Sequence, residues 1–454
     1  MSETIAAIST PNAVGGISVI RVSGPDAITV SERVFEGVSG KKLSSMKGYT
    51  AAYGKVYDRE GEIDSAVALV YHGPKSYTGE DVVELSCHGG MIVTRRLLRS
   101  LLDAGARLAE AGEFTKRAFL NGKMSLTQAE SVLDLINSQS EQAARCAVTA
   151  LDGALYQKIK GIREDLVAQT AHITAWIDFP EEDVDSVKLS QLKDGLMKIH
   201  QDIRKLIKTF DIGKVIHMGV NTAIVGRPNV GKSTLMNLLA GCEKSIVTDM
   251  AGTTRDVVEE TVNLGDVVLR LADTAGIHRT TNAVELAGIE RAKKRIEQAD
   301  LVLLVLDASQ PLDEQDLELM RIVRMKPSVV VLNKADLGVK IDEEYIKRDF
   351  QHSVVISAKE QVSIQTLNDA VARLMHLTDF DTTQPILANE RQRACACAAL
   401  TQVESALDAL SFGMTLDAVN ISIEDAVQSL LELTGESVSD VVVDEVFSKF
   451  CVGK

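Results

Sequence analysis

The sequence lacks any long apolar run that would predict a membrane-spanning helix. In the central region the longest such run, residues 301–306, is far shorter than the roughly 20 apolar residues that span a bilayer. The N-terminus also has no basic segment leading into an apolar one, as a secretory signal would. We therefore expect a cytoplasmic protein with no membrane partner.

Paired cysteines are missing as well. The chain has 6 cysteines, and no two of them have a CxxC spacing. They are Cys87, Cys146, Cys242, Cys395, Cys397 and Cys451. Neither a disulfide framework nor a zinc site is indicated, and reduced thiols are expected.

Positive charge is the third shortage, because the formal net charge is −15. This argues against a protein that binds nucleic acid over its whole surface, although a local RNA-binding face remains compatible with it. Apolar residues make up 45% and charged residues 25% of the 454 residues. That composition is typical of a folded chain, and its length predicts about three domains.

The residue pattern changes three times along the chain and predicts a multidomain α/β protein. Residues 1–121 alternate short β-rich pieces with glycine turns and one helical stretch, an α+β arrangement. Residues 122–216 have helical periodicity, broken at Asp178-Phe179-Pro180. Residues 217–378 alternate apolar strands with helical segments, which predicts a doubly wound sheet. Residues 379–454 are helical again.

The chemistry is concentrated in the third segment. Gly226 to Ser233 fits the phosphate-binding pattern GxxxxGK[ST], between a predicted strand and a helical stretch. In such a loop, backbone N–H groups turn inward around the phosphates and Lys232 reaches the β and γ oxygens. The hydroxyl of Ser233 is expected to bind Mg²⁺.

Three further elements follow in order at predicted strand ends. Asp273 to Gly276 reads DTAG, Asn333 to Asp336 reads NKAD, and Ser357 to Lys359 reads SAK. The carboxylate of Asp336 can accept two hydrogen bonds from guanine, whereas adenine offers no such donor pair. The four elements together predict a GTPase that selects GTP over ATP.

A threonine-rich loop lies between the first two elements, where the first switch of a GTPase belongs. Thr254 in this loop is placed to be the second protein ligand of Mg²⁺. The residue after Gly276 is Ile277, where Ras-type enzymes carry a glutamine that orients the attacking water. The expected GTP contacts are Asn229, Val230, Gly231, Lys232, Ser233, Thr234, Thr248, Asp249, Met250, Ala251, Gly252, Thr253, Thr254, Asp273, Thr274, Ala275, Gly276, Asn333, Lys334, Ala335, Asp336, Ser357, Ala358 and Lys359.

Taken together, these motifs resemble the MnmE (TrmE) family of tRNA-modification GTPases. The resemblance rests on the runs 226–233, 248–256 and 288–292, and on segments outside the GTPase motifs. Those segments are residues 78–85, 88–90, 112–114, 118–123, 128–130 and 177–180, with the final Cys451-Val452-Gly453-Lys454. The match covers essentially the whole chain.

The resemblance implies an enzyme that acts with the flavoprotein MnmG, which depends on FAD and NADH. The pair would install an aminomethyl or carboxymethylaminomethyl group at C5 of the tRNA wobble uridine, position 34. It implies a homodimer that forms a heterotetramer with MnmG and binds tRNA. Residues 1–121 would bind tetrahydrofolate and dimerise, residues 122–216 and 379–454 would form a helical domain, and residues 217–378 would be an inserted Ras-like GTPase domain.

The resemblance also implies site residues. A one-carbon folate, 5-formyl- or methylene-tetrahydrofolate, would contact Arg21, Glu84, Lys123 and Lys454. Hydrolysis would depend on K⁺, bound by the side chain of Asn229 and by backbone oxygens at Thr248, Met250 and Thr253. Glu285 would be the catalytic glutamate, and Arg255 and Arg279 stay open as alternative arginine fingers.

Cys451 lies four residues from the end, as in a prenylation site, but Gly453 is not aliphatic and Lys454 is not an accepted last residue. The family places this cysteine near the folate, where a catalytic and a positioning role both stay open. Two other functions remain as alternatives. A ribosome-assembly GTPase would need an RNA-binding module such as a KH domain, which the sequence after the GTPase segment does not show. A nucleotide-gated scaffold would share the switches and be indifferent to folate.

Overall fold

The computed structural model describes residues 3–178, 189–241, 260–271, 285–378 and 380–454. The chain divides into two compact units. The first contains Met1–Leu133 and Val427–Lys454, and the second contains Asp134–Ala426. No helix within the described ranges combines the length and the apolarity needed to cross a bilayer.

The first unit is built on a mixed sheet. Its elements are β1 (Ile5–Ile8), β2 (Ile17–Ser23), α1 (Ala27–Glu32), β3 (Phe35–Gly37), β4 (Thr50–Asp58), β5 (Gly61–Tyr71), β6 (Val82–His88), α2 (Met91–Asp103), β7 (Arg107–Leu108), α3 (Glu113–Leu120), the start of α4 (Leu126–Asn137) and α15 (Asp440–Ser448). The strand order is β3-β4-β5-β6-β2-β1-β7, and only the β1–β7 pair is parallel.

The core of this unit lies between the sheet and helix α2. Strand β2 alternates buried and partly exposed residues, so Ile20 and Val22 point to one face. Leu97 and Leu101, one helical turn apart on α2, are fully buried against the same cluster. A smaller cluster joins α3, α4 and α15, where the ring of Phe447 packs against those of Phe119 and Phe450.

The second unit contains helices and a second sheet. Its elements are the rest of α4, α5 (Glu141–Leu151), α6 (Ala154–Asp178), α7 (Leu189–Met218), β8 (Val220–Val225), α8 (Lys232–Gly241), β9 (Glu260–Leu264), β10 (Val267–Leu271), α9 (Glu285–Gln298), β11 (Leu301–Asp307), α10 (Glu314–Val323), β12 (Ser328–Asn333), α11 (Glu343–Asp349), β13 (Ser353–Val355), α12 (Ile364–Leu374), α13 (Glu390–Ser411) and most of α14 (Leu416–Thr434).

The second sheet has the order β13-β12-β11-β8-β10-β9 and is parallel except for β9. All seven residues of the central strand β11 are buried, as expected when helices cover both faces of a parallel sheet. Leu303 and Leu304 belong to the clusters on opposite faces. The predicted doubly wound sheet, and with it the multidomain α/β fold class, is confirmed.

Several strands were not predicted from the sequence: β1, β3, β4, β7 and β9. Strands β3 and β7 have only three and two residues. Strand β4 contains Gly54, where an added Cβ would lie 2.3 Å from the carbonyl oxygen of Glu36 on the neighbouring strand. A glycine that allows two backbones to approach closely has no side chain, so it weakens the alternation of apolar and polar residues that predicts a strand. Helix α6 ends at Asp178, where the break in helical periodicity was predicted. The predicted domain boundaries stay predictions.

A buried ionic cluster holds α3 to the first sheet. Glu113, 9% exposed, accepts hydrogen bonds from Arg107 Nη2 at 2.6 Å, Arg117 Nη2 at 2.8 Å and the Glu110 backbone N–H at 2.9 Å. Arg117 also donates to Glu80 Oε2 at 2.9 Å. Burial alone would raise the pKa of Glu113, but these donors lower it to about 2.

This cluster predicts an acid-sensitive contribution to stability. The pKa of Glu113 is depressed in the folded state, so its contribution is fully present above the ordinary value of 4.5 and is lost as the pH falls toward 2. Glu113→Gln is expected to lower the unfolding free energy by about 3 kcal/mol at pH 7. Urea unfolding at pH 6 and pH 3.5 should show a smaller loss at the lower pH.

Glu62→Gln is the control for this prediction. Glu62 pairs with Lys55, but both side chains are nearly half exposed, at 45% and 46%. Exposed pairs contribute little to stability, so this variant should unfold like the parent chain at both pH values. Unchanged unfolding of Glu113→Gln at pH 6 would refute a stabilising role for the buried cluster.

Candidate functional site

The loop between β8 and α8 is held in a shape that few residues can adopt. Gly226, Asn229 and Gly231 have φ values of 155°, 64° and 99°, in the region that L side chains rarely occupy. A Cβ on Gly226 would lie 2.3 Å from the carbonyl oxygen of Val305 on β11. The loop thus packs directly on the central strand, and its backbone leads into the first turn of α8.

Lys232, the first residue of α8, is fixed by the loop that precedes it. Its Nζ donates to the carbonyl oxygens of Gly226 at 2.8 Å and Arg227 at 2.7 Å. An ammonium group has three N–H donors, so one remains to point at an anion. Burial, with a smaller contribution from the charge of Arg295, lowers the pKa of Lys232 to about 8. Ser233 and Thr234 follow on the exposed side of the helix.

The side chain of Asn333 joins three loops at the carboxyl edge of the sheet. It is 2% exposed and donates from Nδ2 to the carbonyl oxygen of Val230 at 2.9 Å. Its Oδ1 accepts from the backbone N–H of Ala358 at 3.0 Å. The amide therefore joins three motifs that are separate in sequence: the phosphate loop, NKAD and SAK. This agrees with their predicted positions at the ends of strands.

The NKAD motif is oriented by two further side-chain contacts. Lys334 has φ 65° and donates from Nζ to Asp307 Oδ2 at 2.7 Å. Burial would raise the pKa of Asp307, but the hydrogen bonds from Lys334 and Ser309 lower it. Ser357 Oγ donates to Asp336 Oδ1 at 2.7 Å. Asp336 is exposed and keeps its other oxygen for a ligand, and Lys359 is exposed beside the same loop.

Part of the expected nucleotide site lies outside the described residues. This applies to Thr248, Asp249, Met250, Ala251, Gly252, Thr253, Thr254, Arg255, Asp273, Thr274, Ala275, Gly276 and Arg279. Glu285 is the first residue of α9, and its side chain also lies outside the described part. The roles predicted for these residues stay predictions.

A second cluster of predicted site residues lies in the first unit. Arg21 on β2 faces Glu84 on β6 in the strand register, and its Nε and Nη2 both lie 2.9 Å from Glu84 Oε1. The guanidinium carbon of Arg21 lies 5.4 Å from the ring centre of Tyr77 and 5.6 Å from that of Phe114. Such stacking holds an arginine side chain in one orientation.

The final four residues of the sequence are attached to this cluster. Val452 forms a β-bridge with Ala111, the carbonyl of Lys454 accepts from Phe114 N at 3.1 Å, and Gly453 O accepts from Ser9 Oγ at 3.1 Å. Gly453 has φ 100°, and a Cβ there would lie 2.2 Å from the Ile8 carbonyl oxygen.

The attached segment brings Lys454 within electrostatic range of the cluster. Burial and the charge of Arg21 lower the pKa of Lys454, while Cys451 and Glu84 oppose the shift. Cys451 itself is exposed. The structure thus unites Arg21, Glu84, Lys454 and Cys451, four of the predicted residues, in one place.

Lys123 lies three residues after the end of α3 in the first unit. Its side chain is exposed and donates to the carbonyl oxygen of Pro74 at 2.9 Å, three residues before Tyr77. Sequence reasoning missed Asp307, Tyr77 and Phe114. Asp307 carried a usable signal because it ends an unbroken apolar strand. Tyr77 and Phe114 carried none, since a single aromatic residue is more often a core residue.

Comparison with known proteins finds relatives and family models that match nearly the whole chain. A family model described as MnmE helical domain matches residues 126–451, and one described as GTP-binding protein TrmE N-terminus matches residues 4–123. A Lactobacillus gasseri protein named tRNA modification GTPase MnmE is 43% identical over 456 residues, covering 100% of this chain and 98% of its own. Its namesake in Acetivibrio thermocellus is 40% identical over 460 residues, with coverages of 100% and 99%.

Two solved structures of GTPase domains match part of the chain. The structure of Era with MgGDPNP and nucleotides 1506–1542 of 16S ribosomal RNA is 28% identical, with a TM-score of 0.27, and covers 40% of this chain and 66% of its own. The G domain of the Thermotoga maritima FeoB iron transporter is 25% identical, with a TM-score of 0.26 and coverages of 34% and 98%. At TM-scores this low, the assignment rests on the relatives and the family models.

The crowded backbone of the phosphate loop yields a direct prediction. In Gly231→Ala the new Cβ would lie 2.2 Å from Asn333 Nδ2, on a residue with φ 99°. Either the loop or the Asn333 bridge must move, at a cost of roughly 1–3 kcal/mol. We expect affinity for a fluorescent GDP analogue to fall by about tenfold or more.

Gly241→Ala is the matched control, because no atom of the described residues lies within 4 Å of a Cβ added at the end of α8. This variant should bind the analogue like the parent chain. Parent-like affinity of Gly231→Ala would mean that the loop tolerates a displaced Asn333 and that the bridge is not required for binding.

Proposed function

The chain belongs to the MnmE family of tRNA modification GTPases, and we propose that it is a K⁺-dependent GTPase that modifies C5 of the tRNA wobble uridine together with the flavoprotein MnmG. The group installed is aminomethyl or carboxymethylaminomethyl, at position 34. The observation that carries the proposal is the full-length identity of about two residues in five with proteins of that name. The two clusters described above supply residues suited to each part of the reaction.

GTP is bound in this proposal at the carboxyl edge of the second sheet. The third N–H of Lys232 points at the β and γ phosphates, because its other two are held by loop carbonyls. The backbone N–H groups of residues 229–234 surround the phosphates at the N-terminus of α8. Ser233 and Thr254 would hold Mg²⁺, which neutralises phosphate charge in such sites.

Asp336 selects the base. Ser357 already donates to its Oδ1, so the carboxylate is held in place before guanine arrives. Two guanine N–H donors then satisfy the carboxylate, and adenine would leave it unpaired. The Lys334–Asp307 contact keeps the same loop in its left-handed turn.

Asn229 would offer its amide oxygen to K⁺. The residue is exposed and left-handed at the tip of the loop, and an amide oxygen with backbone carbonyls is a suitable set of ligands for a hard cation. The remaining proposed ligands are Thr248, Met250 and Thr253. Position 277 is Ile and not the glutamine that orients the attacking water in Ras-type enzymes. Glu285, at the start of α9, would orient this water instead.

The one-carbon tetrahydrofolate would bind at the cluster around Arg21. Glu84 can accept from pterin N–H groups, and Tyr77 and Phe114 offer aromatic faces beside it. Arg21 is already paired with Glu84, which leaves Lys454 and Lys123 for the glutamyl carboxylate. Cys451 lies beside this cluster, where we assign it a catalytic role on the folate side of the reaction.

The partners follow from the same family membership. We propose a homodimer through the first unit, a heterotetramer with the FAD- and NADH-dependent MnmG, and tRNA as the substrate, in the cytoplasm. In this scheme GTP hydrolysis moves the switches and the modification chemistry takes place at the folate cluster.

The cation proposal predicts a salt-specific rate. Replacing K⁺ by Na⁺ at constant ionic strength should slow GTP hydrolysis by on the order of a hundredfold while nucleotide affinity changes little. Steady-state hydrolysis and a binding titration in both salts measure the two effects. In Asn229→Ala the rate should be low in both salts. Equal rates of the parent chain in the two salts would transfer the role to Arg255 or Arg279.

The coupling between hydrolysis and modification predicts two opposite phenotypes. Glu285→Ala should keep GTP and folate binding but abolish both hydrolysis and wobble-uridine modification, because the switches would stay loaded. Arg21→Ala should lose folate binding and modification while the isolated protein still hydrolyses GTP. Mass spectrometry of wobble uridines from complemented deletion cells provides the measurement. Full modification by a variant that hydrolyses no GTP would favour a nucleotide-gated scaffold.

A further inference from the structure

Arg227, the second residue of the phosphate loop, contacts two aspartates at the start of α10. Its Nη1 donates to Asp313 Oδ2, and its Nε lies 3.0 Å from Asp316 Oδ2. The side chain of Arg227 is only 17% exposed and that of Asp316 only 2% exposed. This is a buried charge contact between the phosphate loop and a helix, and the function proposed above does not use it.

The two aspartates are themselves immobilised. Asp313 is the N-cap of α10 and accepts from Asp316 N at 2.9 Å, while Asp316 Oδ2 accepts from Asp313 N at 3.3 Å. This capping box fixes both carboxylates relative to the helix. Burial raises the pKa of Asp316, while the backbone hydrogen bond from Asp313 and the charge of Arg227 oppose that rise.

The backbone of Arg227 has a second contact that matters for the phosphates. Its carbonyl oxygen is one of the two acceptors that hold Lys232 Nζ. We propose that Arg227, Asp313 and Asp316 are positioning residues for GTP binding and hydrolysis. By fixing the start of the loop, they fix the carbonyls that aim the third N–H of Lys232 at the phosphates.

Burial separates this contact from an ordinary surface pair, which contributes little. The Nε of Arg227 and the Oδ1 of Asp316 are buried and make no hydrogen bond with any part of the chain that the structure describes. The contact between these residues consequently depends on charge more than on hydrogen-bond alignment. Removing the charge of Arg227 takes this cationic partner away from the buried carboxylate of Asp316, which is costly.

The start of α10 also connects to the base-recognition loop. Strand β11 ends at Asp307, which holds Lys334, and α10 begins seven residues later at Glu314. One short segment thus fixes the phosphate loop through Arg227 and the NKAD loop through Lys334. The segment from Asp307 to Asp316 therefore sets the distance between the phosphate loop and the NKAD loop.

Neutralisation of either partner tests the proposal. Arg227→Gln should raise the dissociation constant of a fluorescent GDP analogue about tenfold and lower kcat/KM for GTP at least as much. Asp316→Asn should act in the same direction, because asparagine can still accept the capping hydrogen bond but carries no charge. Asp342→Asn is the matched control: Asp342 caps α11 by accepting from Tyr345 N at 3.1 Å, and this variant should bind and hydrolyse normally.

A double-variant cycle distinguishes positioning from a general loss of stability. If both residues act through one contact, Arg227→Gln/Asp316→Asn should be no worse in affinity than Arg227→Gln alone. Arg227→Lys, which keeps the charge, should recover part of the affinity. Affinity and kcat/KM per folded molecule equal to the parent in Arg227→Gln, or affinity losses that add fully in the double variant, would overturn the proposal.

Discussion

The buried amide of Asn333 is the contact on which the nucleotide site depends. It accepts a hydrogen bond from a backbone N–H of the SAK loop and donates one to a backbone carbonyl of the phosphate loop. Without the amide, both backbone groups would lose a hydrogen bond. An unpaired buried polar group costs about 1–3 kcal/mol. The bridge also explains why Gly231 has no side chain, because a Cβ would occupy the space of the Asn333 amide.

The parallel sheet places this bridge. With β11 buried on both faces between β8 and β12, the carboxyl ends of the strands meet at one edge. Polar residues that end those strands are thereby directed at one another: Asn333 ends β12 and Asp307 ends β11. The site is a consequence of strand order, and the side-chain contacts between Asp307 and Lys334 and between Asp336 and Ser357 refine it. GTP hydrolysis, the established activity of the family, needs this kind of preorganised phosphate and base recognition.

The first unit is organised by a different constraint, the attachment of the last residues of the sequence to β1 and α3. A β-bridge at Val452 and hydrogen bonds at Gly453 and Lys454 hold this segment. Lys454 and Cys451 consequently lie beside Arg21 and Glu84, more than 360 residues away in sequence. The charged cluster with its exposed thiol forms because residues 451–454 pack against segments from the N-terminal part of the sequence.

The amino-acid sequence by itself determined the GTPase motifs, their order at strand ends and the doubly wound fold, because apolar periodicity and glycine-rich loops are local properties. It also identified the family, through motifs spread over the whole chain. The tertiary structure decided which side chains meet. Asn333 with Val230, Lys334 with Asp307 and Arg227 with Asp316 are pairings between distant segments. No local pattern encodes them, since they depend on strand order, register and burial, which arise only when the whole chain packs.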